Sequence, residues 1–160
     1  KYMVRARTLA DLSEIYTKVL RCFEAGALAT GSTLQIVGGQ KPYAEMNHDV
    51  NMAAAYRRNA EALGRFFPPL PADMLARAAG STDMGNVSLE IPSIHPWIGI
   101  GSMPAMNHTP EFTAHCVTEA ADNAVIDGSL AMAWTAIDMA TDTAVRERLM
   151  RAASPGLVSA

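Results

Sequence analysis

Apolar and polar residues change their spacing several times along this chain, and each change predicts an element. From Val4 to Arg7 apolar and basic residues alternate, the period-two pattern of a half-exposed strand. The spacing then lengthens: Leu9, Leu12, Ile15, Tyr16, Val19, Leu20 and Phe23 recur every three or four residues behind a Thr8-x-x-Asp11 start signal. That predicts a helix with one buried face, broken in the region from Gly26 to Gly31. Ser32 to Val37 alternates again, and Gly38-Gly39 ends it. Strand, helix and strand in about forty residues is the order of a small α/β sandwich, or of half of one.

Gln40-Lys41-Pro42-Tyr43 reads as a linker or hinge. The next pattern predicts a helix from about Asn47–Asp49 to Gly64, with Ala53, Tyr56, Ala60 and Leu63 on one face and Arg57, Arg58 and Glu61 in solvent. The proline-punctuated run from Phe66 to Pro71 is a rigid connection into a short helix over Ala72 to Ala79. Gly80 to Ser88 is a polar turn. Leu89-Glu90-Ile91 and Trp97 to Ile100, mostly apolar and separated by Pro92 and Pro96, are expected as strands buried in a sheet. Helices are then expected over Glu111 to Val117, Glu119 to Ala140 and Thr143 to Ala152. The middle one carries Ala121, Ala124, Gly128, Ala131 and Thr135 along one side, small residues that permit close packing. The tail from Ser154 to Ala160 is expected to fray.

Composition narrows the function classes. Hydrophobic residues make up 49% and charged residues 18% of 160 residues, a globular balance without any apolar run long enough to span a bilayer. The net charge of −3, with basic residues scattered singly or in pairs such as Arg57-Arg58, argues against a nucleic-acid partner. Cys22 and Cys116 have no His or Cys at metal-ligand spacing and are expected as buried or half-buried free thiols of a reducing, cytoplasmic compartment. The chain starts at Lys1 and opens directly into a strand-like run, so the natural N-terminus is expected upstream.

The chemistry concentrates between Gly80 and Phe112. His108 precedes a helix start in which Thr109 is the cap and Pro110 the first helical residue, so its backbone is held at a fixed place. Such an imidazole can serve as a metal ligand, with Asn107, Thr109 and Glu111 near enough to orient its second nitrogen. The competing reading is a solvated loop histidine. Asp83 could act at a site or merely cap a short helix. Gly99, Gly101 and Ser102 form a small-residue loop able to bring backbone N–H groups to a carboxylate or a developing oxyanion. His95, between Ile94 and Pro96, is a substrate contact or a packed structural histidine, and His115 is read as structural.

The series Gly80-Ser-Thr-Asp-Met-Gly-Asn-Val-Ser88, Ile91-Pro92-Ser93-Ile94-His95-Pro96 and Asn107-His108-Thr109-Pro110-Glu111-Phe112 resembles the C-terminal part of the dinuclear-metal aminoacylase and carboxypeptidase family. More closely, it looks like the amidohydrolase branch containing aminobenzoyl-glutamate hydrolase and related dipeptidase-like proteins. The likeness covers nearly the whole chain; it is specific from Gly80 to Phe112 and a matter of organisation from Lys1 to Gly64. It implies an α/β chain with residues 1–40 as the second half of a ferredoxin-like lid and dimerisation domain. Residues 41–160 would be the C-terminal part of a metallopeptidase-like α/β catalytic domain.

The same resemblance makes His108 the last metal-binding histidine. It puts Asp83 and Asn86 in a turn near the active site and Gly101-Ser102 near a substrate-facing glycine loop, while His95 stands beside them as a candidate substrate-binding or supporting residue on its own sequence context. The activity implied is metal-dependent hydrolysis of an amide bond in a small N-acyl amino acid or dipeptide-like substrate, with two divalent ions, zinc or manganese, and a homo-oligomer formed through the lid. The family's remaining ligands and its general-base glutamate lie upstream of the lid and have no counterpart here, so the chain alone is expected to be inactive. The lid strand that would lie between the two strands of residues 1–40 is missing too, which leaves open sheet edges. The alternatives are a non-catalytic binding or oligomerisation module, and a stand-alone α/β domain that binds a small molecule.

Overall fold

The Thr8 start signal works as expected, its hydroxyl accepting from the Asp11 amide at 3.1 Å. In this computed structural model, residues 2–39, 41–69, 71 and 80–153 are described. The helix expected over Ala72 to Ala79, Gln40 of the hinge and the tail from Ser154 lie outside the described residues. The helices described are α1 Leu9–Thr30, α2 Val50–Ala62, α3 Met84–Glu90, α4 Pro110–His115, α5 Glu119–Thr141 and α6 Thr143–Ala152.

Helix α1 stops at Gly31, which takes the left-handed conformation at φ 65°. The amides of Gly31 and Ser32 return to the carbonyls of Leu28 and Ala27, the paired bonds that close a helix end on a glycine. Its apolar face is not covered: no residue of α1 is buried, and Ile15 and Tyr16 remain 38% and 41% exposed. Tyr2 folds back edge-on to Phe23, with ring centroids 4.9 Å apart. At its start, the Leu9 amide donates to the Glu45 carboxylate at 2.9 Å, so an acid from the segment beyond the hinge satisfies an orphan N–H of the first turn.

The packed centre is helix on helix. Helix α2 lies along α5, and α6 folds back on α5. Tyr56 and Ala60 of α2 meet Ala131 of α5, with Leu63, Phe67 and Ile94 closing around them. Ala121, Ala124, Ala131 and Thr135, four of the five small residues picked out along α5, are buried. The fifth, Gly128, lies under Ile98, whose Cδ1 would be 3.3 Å from a Cβ at that position. Small side chains here let the neighbouring backbones approach, and Tyr56 fills the space they leave; an aromatic of that size buried fully contributes roughly 1.5–3 kcal/mol. Asn59 extends the contact with polar bonds, donating to Thr135 Oγ1 at 3.2 Å and to Asp138 Oδ2 at 2.9 Å.

Apart from the one expected over Ala72 to Ala79, the helical elements of the expected α/β architecture are present, whereas among the described residues its strands are not paired into a sheet. Among the described residues the sole bridge is a parallel one between His48 and Ser93. The segments at Val4–Arg7, Ser32–Val37 and Trp97–Ile100 form no ladder with one another. Alternation prepares a segment for a sheet, but a ladder also needs a neighbour whose N–H and C=O groups face it. Residues 2–7 and 32–37 are the pair for which an intervening strand was expected to be missing.

Two further expectations are corrected. The polar turn at Gly80–Ser88 is largely helix α3, and Leu89 and Glu90, expected in a buried strand, complete that helix while Ile91 leaves it in an extended conformation. Leu89 and Ile91 are 46% and 44% exposed. The reason lies at Gly85, which presses on the backbone of residues 44–45 so closely that a Cβ there would overlap the Ala44 carbonyl oxygen and lie 2.8 Å from its carbon. A helix offering a bare glycine face can approach another chain segment that tightly; a strand in its place would lose the bonds described next.

Candidate functional site

The loop from Gly101 to Thr109 is built around one hydroxyl. Thr109 caps α4, accepting from the Phe112 amide at 3.2 Å, and the same hydroxyl donates backwards to the Met106 carbonyl at 2.8 Å. With Pro110 as the first helical residue, the turn Met106–Thr109 is cinched from both sides. Between those anchors His108 sits at φ 66°, the one non-glycine residue with positive φ among the described residues. Its imidazole is exposed. A left-handed backbone costs a non-glycine residue roughly 1–2 kcal/mol, and residues held this way concentrate at functional positions.

Upstream, Gly101 also has positive φ, 74°, and lies beside α5 with its Cβ position 3.6 Å from that of Ala120. Ser102 is half-buried and its carbonyl accepts from the Ala105 amide at 2.7 Å, closing a turn that includes a cis Met103–Pro104 bond. Gly101, Ser102 and His108 thus belong to one continuous loop that leaves α5 and returns through α4.

Asp83 and Asn86 are positioned differently. Asp83 occupies the cap position of α3 but makes no capping bond; Thr82 takes that part, accepting from the Met84 amide at 3.3 Å, and Asp83 itself is exposed. Asn86 is engaged structurally. Its carboxamide donates to the Pro42 carbonyl at 3.3 Å and accepts from the Ala44 amide at 3.2 Å, imitating the backbone of a neighbouring strand. Ser88 adds a bond from the Asn47 amide, 2.9 Å, while donating to the Gly85 carbonyl at 2.7 Å. Helix α3 therefore clips the segment 42–47 in place.

That segment ends at His48, whose backbone pairs with Ser93, and at Asp49, whose amide donates to the Ser93 carbonyl at 3.0 Å. Asp49 caps α2 through Met52 and receives the Arg148 guanidinium at 2.6 and 3.1 Å. The guanidinium holds the Asp49 carboxyl below the usual carboxylate range and the carboxylate in turn raises Arg148, while burial pushes the Tyr56 hydroxyl up. His95, two residues beyond Ser93, is exposed; His48 is exposed too, and His115 ends α4 half-buried, its carbonyl accepting from Thr118 at 2.8 Å. The cysteines expected to be buried or half-buried, Cys22 and Cys116, are both exposed and unpaired.

Asp49, Arg148, Arg65 and Asp127 were not singled out from sequence. Arg65 binds Asp127 Oδ2 through Nε at 2.8 Å and Nη2 at 2.7 Å, and donates from Nη1 to the Gly99 carbonyl at 3.2 Å. These partners are 62 and 34 residues away in sequence, beyond any local pattern.

A metal ion requires several donors at one point. Among the described residues no group of three or more His, Cys, Asp or Glu side chains converges. His108 fits as a single imidazole ligand; the described residues do not by themselves fit a complete metal centre. No helix among the described residues is long and apolar enough to cross a membrane.

The chain is 37% identical over 139 residues to the Xaa-Arg dipeptidase of Homo sapiens, a match covering 86% of this chain and 31% of that relative. It is 36% identical over 146 residues to the Xaa-Arg dipeptidase of Mus musculus, covering 91% of this chain and 33% of the relative. No protein-family model matches the chain, and no solved structure matches it. The chain thus spans about a third of the length of the curated relatives it matches, and over nearly all of its own length it is similar to a peptidase that acts on dipeptides.

Proposed function

We propose that this chain is the C-terminal part of a metal-dependent peptidase or amidohydrolase that hydrolyses the amide bond of a dipeptide or a small N-acyl amino acid, with residues 1–40 belonging to a lid and residues 41–160 to the catalytic domain. The observation that carries the reading is the likeness to Xaa-Arg dipeptidases along 86–91% of the chain. The first substrate class to examine is accordingly a dipeptide with a C-terminal arginine.

In this reading His108 supplies one ligand to a pair of divalent ions, zinc or manganese, whose chemistry when bound is to polarise the scissile carbonyl and to activate water. The left-handed backbone at His108 and the Thr109 clasp support that role, because a ligand must be held before the ion arrives. Gly101 and Ser102 face substrate, and His95, Asp83 and the Asn86 clip lie around the site. The remaining donors come from sequence that this chain does not contain. Homo-oligomerisation through the lid and a cytoplasmic location, in keeping with two exposed thiols, complete the reading.

The test is His108→Ala in the intact protein. Metal content and dipeptide hydrolysis should fall together, with the folded state retained. Unchanged metal content and rate would sink the assignment.

A second reading concerns the 160-residue chain by itself: a single candidate ligand, His108, cannot retain a metal pair, and the chain then acts as a binding or oligomerisation module. The isolated chain should then hold no stoichiometric metal and turn over no substrate. Tight metal binding with turnover would refute it.

A further inference from the structure

Two residues upstream of the loop Gly101–His108, the Gly99 carbonyl is tied to a distant side chain, that of Arg65. The preceding segment runs along α5 against the direction of the helix, since Ile98 lies over Gly128 and Gly101 lies beside Ala120. Between these two apolar contacts the Gly99 carbonyl is taken by Arg65 Nη1. Two more nitrogens of the same guanidinium close on Asp127 Oδ2, immediately before Gly128. The planar fork is thereby fixed by the helix before it reaches the loop, and its side chain is only 22% exposed. One residue beyond Ile100, the chain turns through positive φ at Gly101 and enters the stretch that carries Ser102 and His108.

We propose that Arg65 is a positioning residue of the candidate site: it sets the Gly99 carbonyl against α5 and through it the placement of Gly101 and Ser102 toward substrate. This rests on the dipeptidase reading. Arg65 does not touch the reacting atoms. Misplacing a binding loop by about an ångström is enough to change catalytic parameters by up to about a hundredfold. Lysine could keep the ion pair with Asp127 as a point charge, but it lacks the fork needed to hold Asp127 and Gly99 together.

The experiment uses the intact protein with Arg65→Lys, Arg65→Gln and Asp127→Asn, reading KM and kcat for an Xaa-Arg dipeptide, metal content, melting temperature and amide hydrogen exchange. Arg65→Lys should leave metal content and melting temperature near those of the natural protein. Its KM should rise about tenfold with a smaller change in kcat, and exchange should quicken over residues 99–106 while α2 and α5 stay protected. Arg65→Gln should show the same KM effect, and adding Asp127→Asn should worsen KM little, because both residues act through one link. Full recovery of KM and exchange by Arg65→Lys would assign Arg65 to ordinary ion-pair stability and overturn the proposal. An unchanged KM in Arg65→Gln would overturn it as well. If the natural protein hydrolyses no dipeptide, the dipeptidase reading fails separately; exchange over residues 99–106 then decides the positioning role, and unaltered protection in both Arg65 variants overturns it.

Discussion

Asp49 and Arg148 meet through two hydrogen bonds, 2.6 and 3.1 Å long, that join the first turn of α2 to a helix 99 residues further along the chain. The same carboxylate caps α2, and its side chain is 8% exposed. One ionised group thus satisfies a helix end and a guanidinium at once.

Because Asp49 titrates lower in the folded protein than its ordinary value of 3.8, its contribution to stability is complete above that value and is lost as the pH falls through the folded one. Asp49→Asn should cost about 1–3 kcal/mol near neutrality and flatten the acid limb of the stability curve. Chemical denaturation at a series of pH values checks this. An acid limb with unchanged slope would mean that other carboxylates govern acid unfolding.

His108→Gly should raise stability by about 0.5–1 kcal/mol, since glycine enters the left-handed region without the penalty of a Cβ but gains freedom in the unfolded chain. In the intact protein, metal content should fall in the same variant. Stability rising while a ligand is lost is the pattern of a residue kept for function. A His108→Gly protein that is less stable and equally metallated would contradict both halves.

Gly85→Ala should destabilise by about 1–3 kcal/mol or more, because the added methyl meets backbone at Ala44 and Glu45 rather than a side chain able to turn aside. The damage should centre on the segment 42–49. Melting curves, together with hydrogen exchange at Ala44 and Asn47, read it directly.

Asn86→Asp keeps an oxygen for the Ala44 amide but replaces the donor that faces the Pro42 carbonyl with a second acceptor. A loss of about 1 kcal/mol is expected at neutral pH, partly recovered in acid when the carboxyl can donate again. Equal stability at both pH values would show that the clip is carried by Ser88 alone.

Local signals were legible in the sequence, and contacts between distant segments were not. Thr8 and Thr109 could be read because a cap is decided within four residues; the helix end was legible only as the region Gly26 to Gly31, through most of which the helix continues before stopping at Gly31. The buried stripe of α5 was legible because small residues recur at helical spacing. Leu89–Ile91 misled because a short apolar run suits a strand or a helix, and the deciding fact, Gly85 against Ala44, joins residues 41 apart. Asn86 entered the sequence reading only through the family resemblance; its bonds to Pro42 and Ala44 join residues more than forty positions apart and leave no local signal. Within the candidate site, the place of His108 before a capped proline could be read from sequence. Its left-handed backbone could not, nor could the Arg65 link.

Asn59 and Arg65 hold α5 at Asp138 and Asp127, eleven positions apart, which is about 16 Å along the helix. Two pegs at such a separation act as a ratchet stop: a slide of α2 along α5 by one turn, about 5.4 Å, would unseat both together. Shear between this helix pair is therefore a costly mode of motion, and the segment that leads into the Gly101–His108 loop rests on a support that resists sliding.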